Sequence, residues 1–154
     1  MVDILHRIGV TSSPDDVYPA LATIDGLAGW WTEDTAGDAD VGGVIQFRFE
    51  GAPAPGGFDM LVLEAQPTEL VRWEVVDGPE EWIGTQIRFE LKQEDGFTIV
   101  LFSHEGWQEP MEFMHHCSTK WATFLMSLKT LLETGKGEPG QAVDVDDMPW
   151  RGEP

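Results

Sequence analysis

The chain has 154 residues, 28 of them acidic and 9 Lys or Arg, for a formal charge of -19. That length suits one domain able to bury its own core, and a 42% apolar fraction with seven Trp and eight Phe excludes intrinsic disorder. Basic residues are too few and too scattered to neutralise phosphates, which excludes nucleic acid as a partner, and an anionic membrane surface would repel this charge.

The alternating run Ile4 to Val10 predicts an edge strand. Ser13 then offers a helix cap and Pro14 suits a first turn, with Asp15 and Asp16 favourably placed against the helix dipole. This helix is expected to run to about Thr23, shortened or bent by Pro19. A second helical turn, Asp25 to Trp31, ends in Trp30-Trp31. Residues Thr32 to Gly43 are acidic and Gly-rich and predict a loop.

The pattern then changes to period two. Ile45, Phe47 and Phe49 alternate with polar residues, and strands are predicted at about Phe58 to Ala65 and through Val71, Trp73 and Val75. Another follows with Thr85, Ile87, Phe89 and Leu91 on one face, and Asp95-Gly96 turns it into a return strand, Phe97 to Glu105. After Pro110 the period becomes 3.6: Met114, Cys117, Trp121, Phe124, Leu125, Leu128, Leu131 and Leu132 form one apolar stripe on a helix of about 23 residues, some 35 Å long, stopped by Gly135 and Gly137. The tail, 138–154, is acidic and Pro-rich, with Trp150 its one large anchor, and is expected to pack loosely.

These elements predict an α+β fold in which a curved antiparallel sheet of six strands grips the long helix, with two short helices after the first strand. A sheet curved this strongly is expected to enclose a cavity between itself and the helix. Its lining would be Trp30, Trp31, Phe47, Phe49, Trp73, Phe89, Phe102, His104, Met114 and Trp121. The same aromatics serve equally well as a filled core, and aromatic content alone does not separate the two.

The run Ser13 to Leu21, continued through Gly26-Leu27-Ala28-Gly29-Trp30-Trp31-Thr32, resembles the opening of START-like (SRPBCC) helix-grip proteins. It is most similar to the branch named for the activator of the heat-shock protein 90 ATPase. Gly42-Gly43, Thr98 to Trp107, Trp121, Leu128-Lys129 and Glu133 to Gly137 fit as well. The resemblance implies a helix-grip (START-like, Bet v 1-like) domain over 1–137, an enclosed hydrophobic cavity, and a family of lipid carriers, polyketide cyclases and aromatases, resistance proteins and cochaperones. Such motifs mark turns and packing, so they specify the fold better than the function.

Among candidate sites, His104 falls on the inward face by counting in twos from Thr98, where an imidazole can bind a ligand carbonyl or move a proton. A histidine satisfied by its surroundings is the competing reading. His115 is a second candidate if it meets His104 across the cavity. His115-His116-Cys117 is not a metal site, because adjacent helical residues point about 100° apart. Cys117 reads as a small buried hydrophobe. The carboxylates Glu33, Asp34, Asp38 and Asp40 lack Ca²⁺-loop spacing, and Glu64 is expected to face outward. Neither metal nor cofactor is expected.

Three functions follow as expectations. The first is non-enzymatic binding of a hydrophobic small molecule, lipid-, polyketide- or aromatic-like. The second is a cyclase- or aromatase-like enzyme using His104. The third is a chaperone-accessory or other protein-interaction module, with a protein partner or a homodimer. A lone cysteine and the absence of an apolar leader or membrane span point to the cytoplasm.

Overall fold

The computed structural model describes residues 1–49 and 57–139. Ala52-Pro53-Ala54-Pro55-Gly56-Gly57 reads in the sequence as a turn into the next strand; all of it but Gly57, and the tail beyond residue 139, lie outside the described residues. Ser13 caps the first helix, α1 (Pro14–Ala22), its Oγ accepting from Asp16 N at 3.3 Å. Pro19 sits inside α1, and the helix stops one turn later. Thr23 then bridges the break: its hydroxyl donates to Pro19 O and accepts from Gly26 N, opening α2 (Ile24–Ala28). The two helices meet so closely that a Cβ on Gly26 would lie 2.0 Å from Pro19 O.

The strands are β1 (Val2–Val10), β2 (Asp34–Gly37), β3 (Val44–Arg48), β4 (Gly57–Gln66), β5 (Leu70–Asp77), β6 (Gln86–Glu94) and β7 (Phe97–Trp107). They form one antiparallel sheet in the order β1-β7-β6-β5-β4-β3-β2. Seven strands therefore replace the six expected. The extra one, β2, lies in the segment read as loop, and pairs Asp34 with Arg48 and Gly37 with Ile45. Its residues, Asp-Thr-Ala-Gly, are nearly all exposed, so main-chain pairing holds it and no apolar alternation announces it. The β3–β4–β5 path bends at register shifts within β4, and the β1–β7 ladder slips at Gly106, whose φ of 90° suits a bulge.

The long helix α3 (Glu112–Thr134) has the 23 residues expected and ends at Gly135, which takes a left-handed φ of 90° while its N–H returns to Leu131 O. Cys117, Trp121, Phe124, Leu125 and Leu128 are buried as the stripe predicts; Met114, Leu131 and Leu132 are half-buried. Ser127 is also buried, although a stripe of apolar residues gives no hint of it. Its hydroxyl donates to Trp30 O at 2.9 Å and accepts from Glu138 N at 2.8 Å, tying helix, Trp30 loop and the chain beyond α3 together.

The close contact at Gly26 sets a prediction. Gly26→Ala forces α1 and α2 apart and should cost about 1–3 kcal/mol, read as a lower midpoint in urea unfolding; Ala22→Gly, on the same helix pair but without a clash, should lose only its helix propensity.

Candidate functional site

The inward positions of the sheet and the apolar stripe of α3 converge on one aromatic cluster. Trp31 is its hub: its ring centroid lies 4.3 Å from Phe47, 4.9 Å from Trp121 and 5.6 Å from Phe58. Trp73 and Phe89 meet at 5.3 Å, Phe89 and Phe102 at 5.2 Å, and Phe102 and Trp121 at 4.5 Å. These are the separations of aromatic rings in direct contact. Trp30, Trp31, Phe47, Trp73, Phe89, Phe102 and Trp121 are each only 0–2% accessible to water. Their faces meet other side chains, with next to no surface left against a space that water could enter.

His104 is completely buried inside this cluster. The Trp121 indole N–H, which can only donate, points at His104 Nδ1 at 3.1 Å. Nδ1 is therefore the bare nitrogen, and Nε2 carries the proton. That proton goes to Thr85 Oγ1 at 2.8 Å, and the Thr85 hydroxyl passes its own hydrogen to Trp82 O at 2.5 Å. Each link in the chain Trp121 to His104 to Thr85 to Trp82 has one donor and one acceptor. Burial pushes the imidazole down from 6.5 to about 3, so it stays neutral.

His115 lies on the exposed side of α3, so the structure does not bring it to His104. Cys117 is buried and accepts from the Trp82 indole N–H at 3.4 Å. Phe49 and Met114 are half-buried at the margins of the cluster. Glu64 faces outward, its carboxylate 3.0 Å from Arg72 Nε. No group of His, Cys, Asp or Glu among the described residues could hold a metal ion, and no helix there is long and apolar enough to cross a membrane.

Sequence reasoning missed Trp82, and it placed Thr85 on the inward face of its strand without assigning it to the site. Trp82 stands on a one-turn helix, Glu80–Trp82, outside any alternating run, and stacks on Phe58 at 4.3 Å and Trp121 at 5.9 Å. The inward alternation Thr85, Ile87, Phe89 and Leu91 is the signal that points to Thr85; nothing local marks Trp82. Trp107 was expected to mark the family pattern only. It proves fully buried 4.9 Å from His104, and its indole N–H has no hydrogen-bond partner among the described residues.

The buried imidazole makes stability depend on pH. In the unfolded chain His104 takes up a proton as pH falls through about 6.5, whereas in the fold it resists until about 3. Its contribution is therefore complete above pH 6.5 and is lost toward pH 3, at a slope approaching ~1.4 kcal/mol per pH unit. His104→Gln should be less stable at pH 8 and should lack that slope, as measured by urea unfolding of both proteins between pH 8 and 5.

The model of the family described as Activator of Hsp90 ATPase homolog 1-like protein matches residues 11–133. Among solved structures, the Aha1 dimer from Colwellia psychrerythraea is 49% identical, covers 89% of this chain and 100% of its own, and superposes with a TM-score of 0.80. CalU16 from Micromonospora echinospora shares the fold at 18% identity, covering 99% of this chain and 75% of its own, with a TM-score of 0.73. The protein SSP2350 from Staphylococcus saprophyticus does so at 17% identity, with 88% and 95% covered and a TM-score of 0.71. None of the curated proteins compared matches this chain.

Proposed function

The chain belongs to the family of Activator of Hsp90 ATPase homolog 1-like proteins, and from that premise we propose that it is a non-enzymatic protein-interaction module whose partner is an Hsp90-type ATPase. The carrying observation is the closure of the interior. His104 has both ring nitrogens engaged, and the aromatic rings around it press on one another. An acid–base catalyst needs a free nitrogen within reach of substrate, and a small-molecule site is usually an open cleft of about 300–1,000 Å³. Neither is offered by these residues, which leaves the exterior to do the work. The net charge of -19 favours a basic patch on the partner and speeds encounter with it.

One observation favours a second reading, a hydrophobic small molecule admitted between sheet and helix. The Trp107 indole N–H is buried beside His104 with no hydrogen-bond partner among the described residues, and an unsatisfied buried donor is costly unless something accepts from it. A ligand carbonyl would do so, provided the rings part to admit it.

The two readings differ in what they release and what they drive. On the first, the purified chain added to an Hsp90 from the same source raises its ATP turnover in a saturable way, and the effect weakens as salt screens the charges. Native mass spectrometry of the protein then shows no added small-molecule mass. An unchanged ATPase, together with an apolar compound released on denaturation and lost in Trp107→Phe, would reject the first reading in favour of the second.

A further inference from the structure

β1 is an edge of the sheet, nine residues long, whereas the opposite edge, β2, has four. In an antiparallel ladder, alternate residues turn both main-chain groups to the same side. The side on which β1 is open can be traced across the sheet. Leu91 N donates to Glu69 O, so Leu91, Phe89 and Ile87 of β6 face β5, and the residues between them face β7. Counting on through β7, Ile4, His6, Ile8 and Val10 of β1 bond to β7. Asp3, Leu5, Arg7 and Gly9 therefore direct their N–H and C=O groups away from the sheet. Gly9 agrees with this parity, because its carbonyl is taken by Lys129 Nζ from α3 at 2.5 Å.

The far end of this edge is thus covered by α3: Lys129 sits on Gly9, and Glu133 accepts from Thr11 N at 3.2 Å. The near end, Asp3 to Arg7, has no such cover among the described residues. All three outward residues are exposed there, Leu5 to 70%. An open edge of this kind is a template for another strand, and proteins that must avoid pairing place lysine or proline on it. Here the centre is a leucine.

We infer that a second copy of this chain pairs with β1 along that stretch, antiparallel, about a two-fold axis at Leu5. In this register Leu5 faces the partner subunit's Leu5, and Asp3 faces the partner subunit's Arg7, twice over by symmetry. A two-fold interface has to be self-complementary, and Asp3-Ile4-Leu5-His6-Arg7 is: opposite charges stand equally spaced on either side of an apolar centre, on one face of the strand. Arg7 makes no ion pair among the described residues, whereas Arg48, Arg72 and Arg88 all do. The sheet would continue through the axis with each facing pair exchanging two main-chain bonds. A trough of about 410 Å³ runs behind Leu5 and Arg7 over Leu101 and Arg88, leaving the outer face open for the partner's side chains.

The register is tested with the full chain by sedimentation equilibrium and by cysteine pairing. Facing residues at a bonded pair have Cα atoms about 5.5 Å apart, within disulfide reach. Leu5→Cys is expected to oxidise to a disulfide-linked dimer, and Arg7→Cys alone is not. An equal mixture of Asp3→Cys and Arg7→Cys should cross-link again, while the wild type, with Cys117 buried, stays unlinked. Leu5→Lys, at a site too exposed to disturb folding, should weaken the dimer at least ~10-fold. A monomer at all concentrations would overturn the inference. So would a dimer indifferent to Leu5→Lys, or one in which Arg7→Cys links as readily as Leu5→Cys.

Discussion

A neutral imidazole held between an indole and a hydroxyl is the constraint on which the rest of the interior depends. His104 projects from β7, Thr85 precedes β6, and Trp121 lies midway along α3. The hydrogen bonds at 2.8 and 3.1 Å therefore fix the height of the helix over the sheet and its rotation about its own axis. With Trp121 oriented in this way, its ring face is available to Trp31 and Phe102, and Trp82 can stack along its other side. Polar groups in an apolar core specify an arrangement only when every donor and acceptor is matched. Here the matching leaves no spare proton and no spare lone pair on the histidine. The arrangement that orients the helix is the one that engages both ring nitrogens of His104.

The same logic explains which parts of the molecule were legible in its sequence. Elements held by side-chain burial announce themselves by period, as α3 does at 3.6 and β6 at two. Edge strand β2 is held by main-chain pairing to β3, so Asp-Thr-Ala-Gly reads as loop. Counting in twos put His104 inside, because alternation is a property of the strand alone. Whether that histidine is free or bracketed depends on Thr85 and Trp121, which lie 19 and 17 residues away, and no local pattern carries that information. His115 fails to reach it for a simpler reason: it is two residues before Cys117 on the helix, and about 200° of rotation takes it to the wet side.

Charge completes the division between interior and exterior. Four of the five arginines, Arg7, Arg48, Arg72 and Arg88, stand on sheet strands, although the chain is strongly acidic. Arg72 binds Glu64 and Glu105, Arg88 binds Glu90, and Arg48 binds Asp59, so part of the acid on the sheet is offset by its arginines. Such exposed pairs add little stability. Their effect is on what can approach. Two molecules that each carry -19 repel, and the repulsion is weaker where basic residues offset the acids. Arg7, Arg48, Arg72 and Arg88 put that offset on the sheet. The inferred contact at β1 therefore uses a stretch where an exposed leucine stands two residues from an arginine that has no ion pair among the described residues.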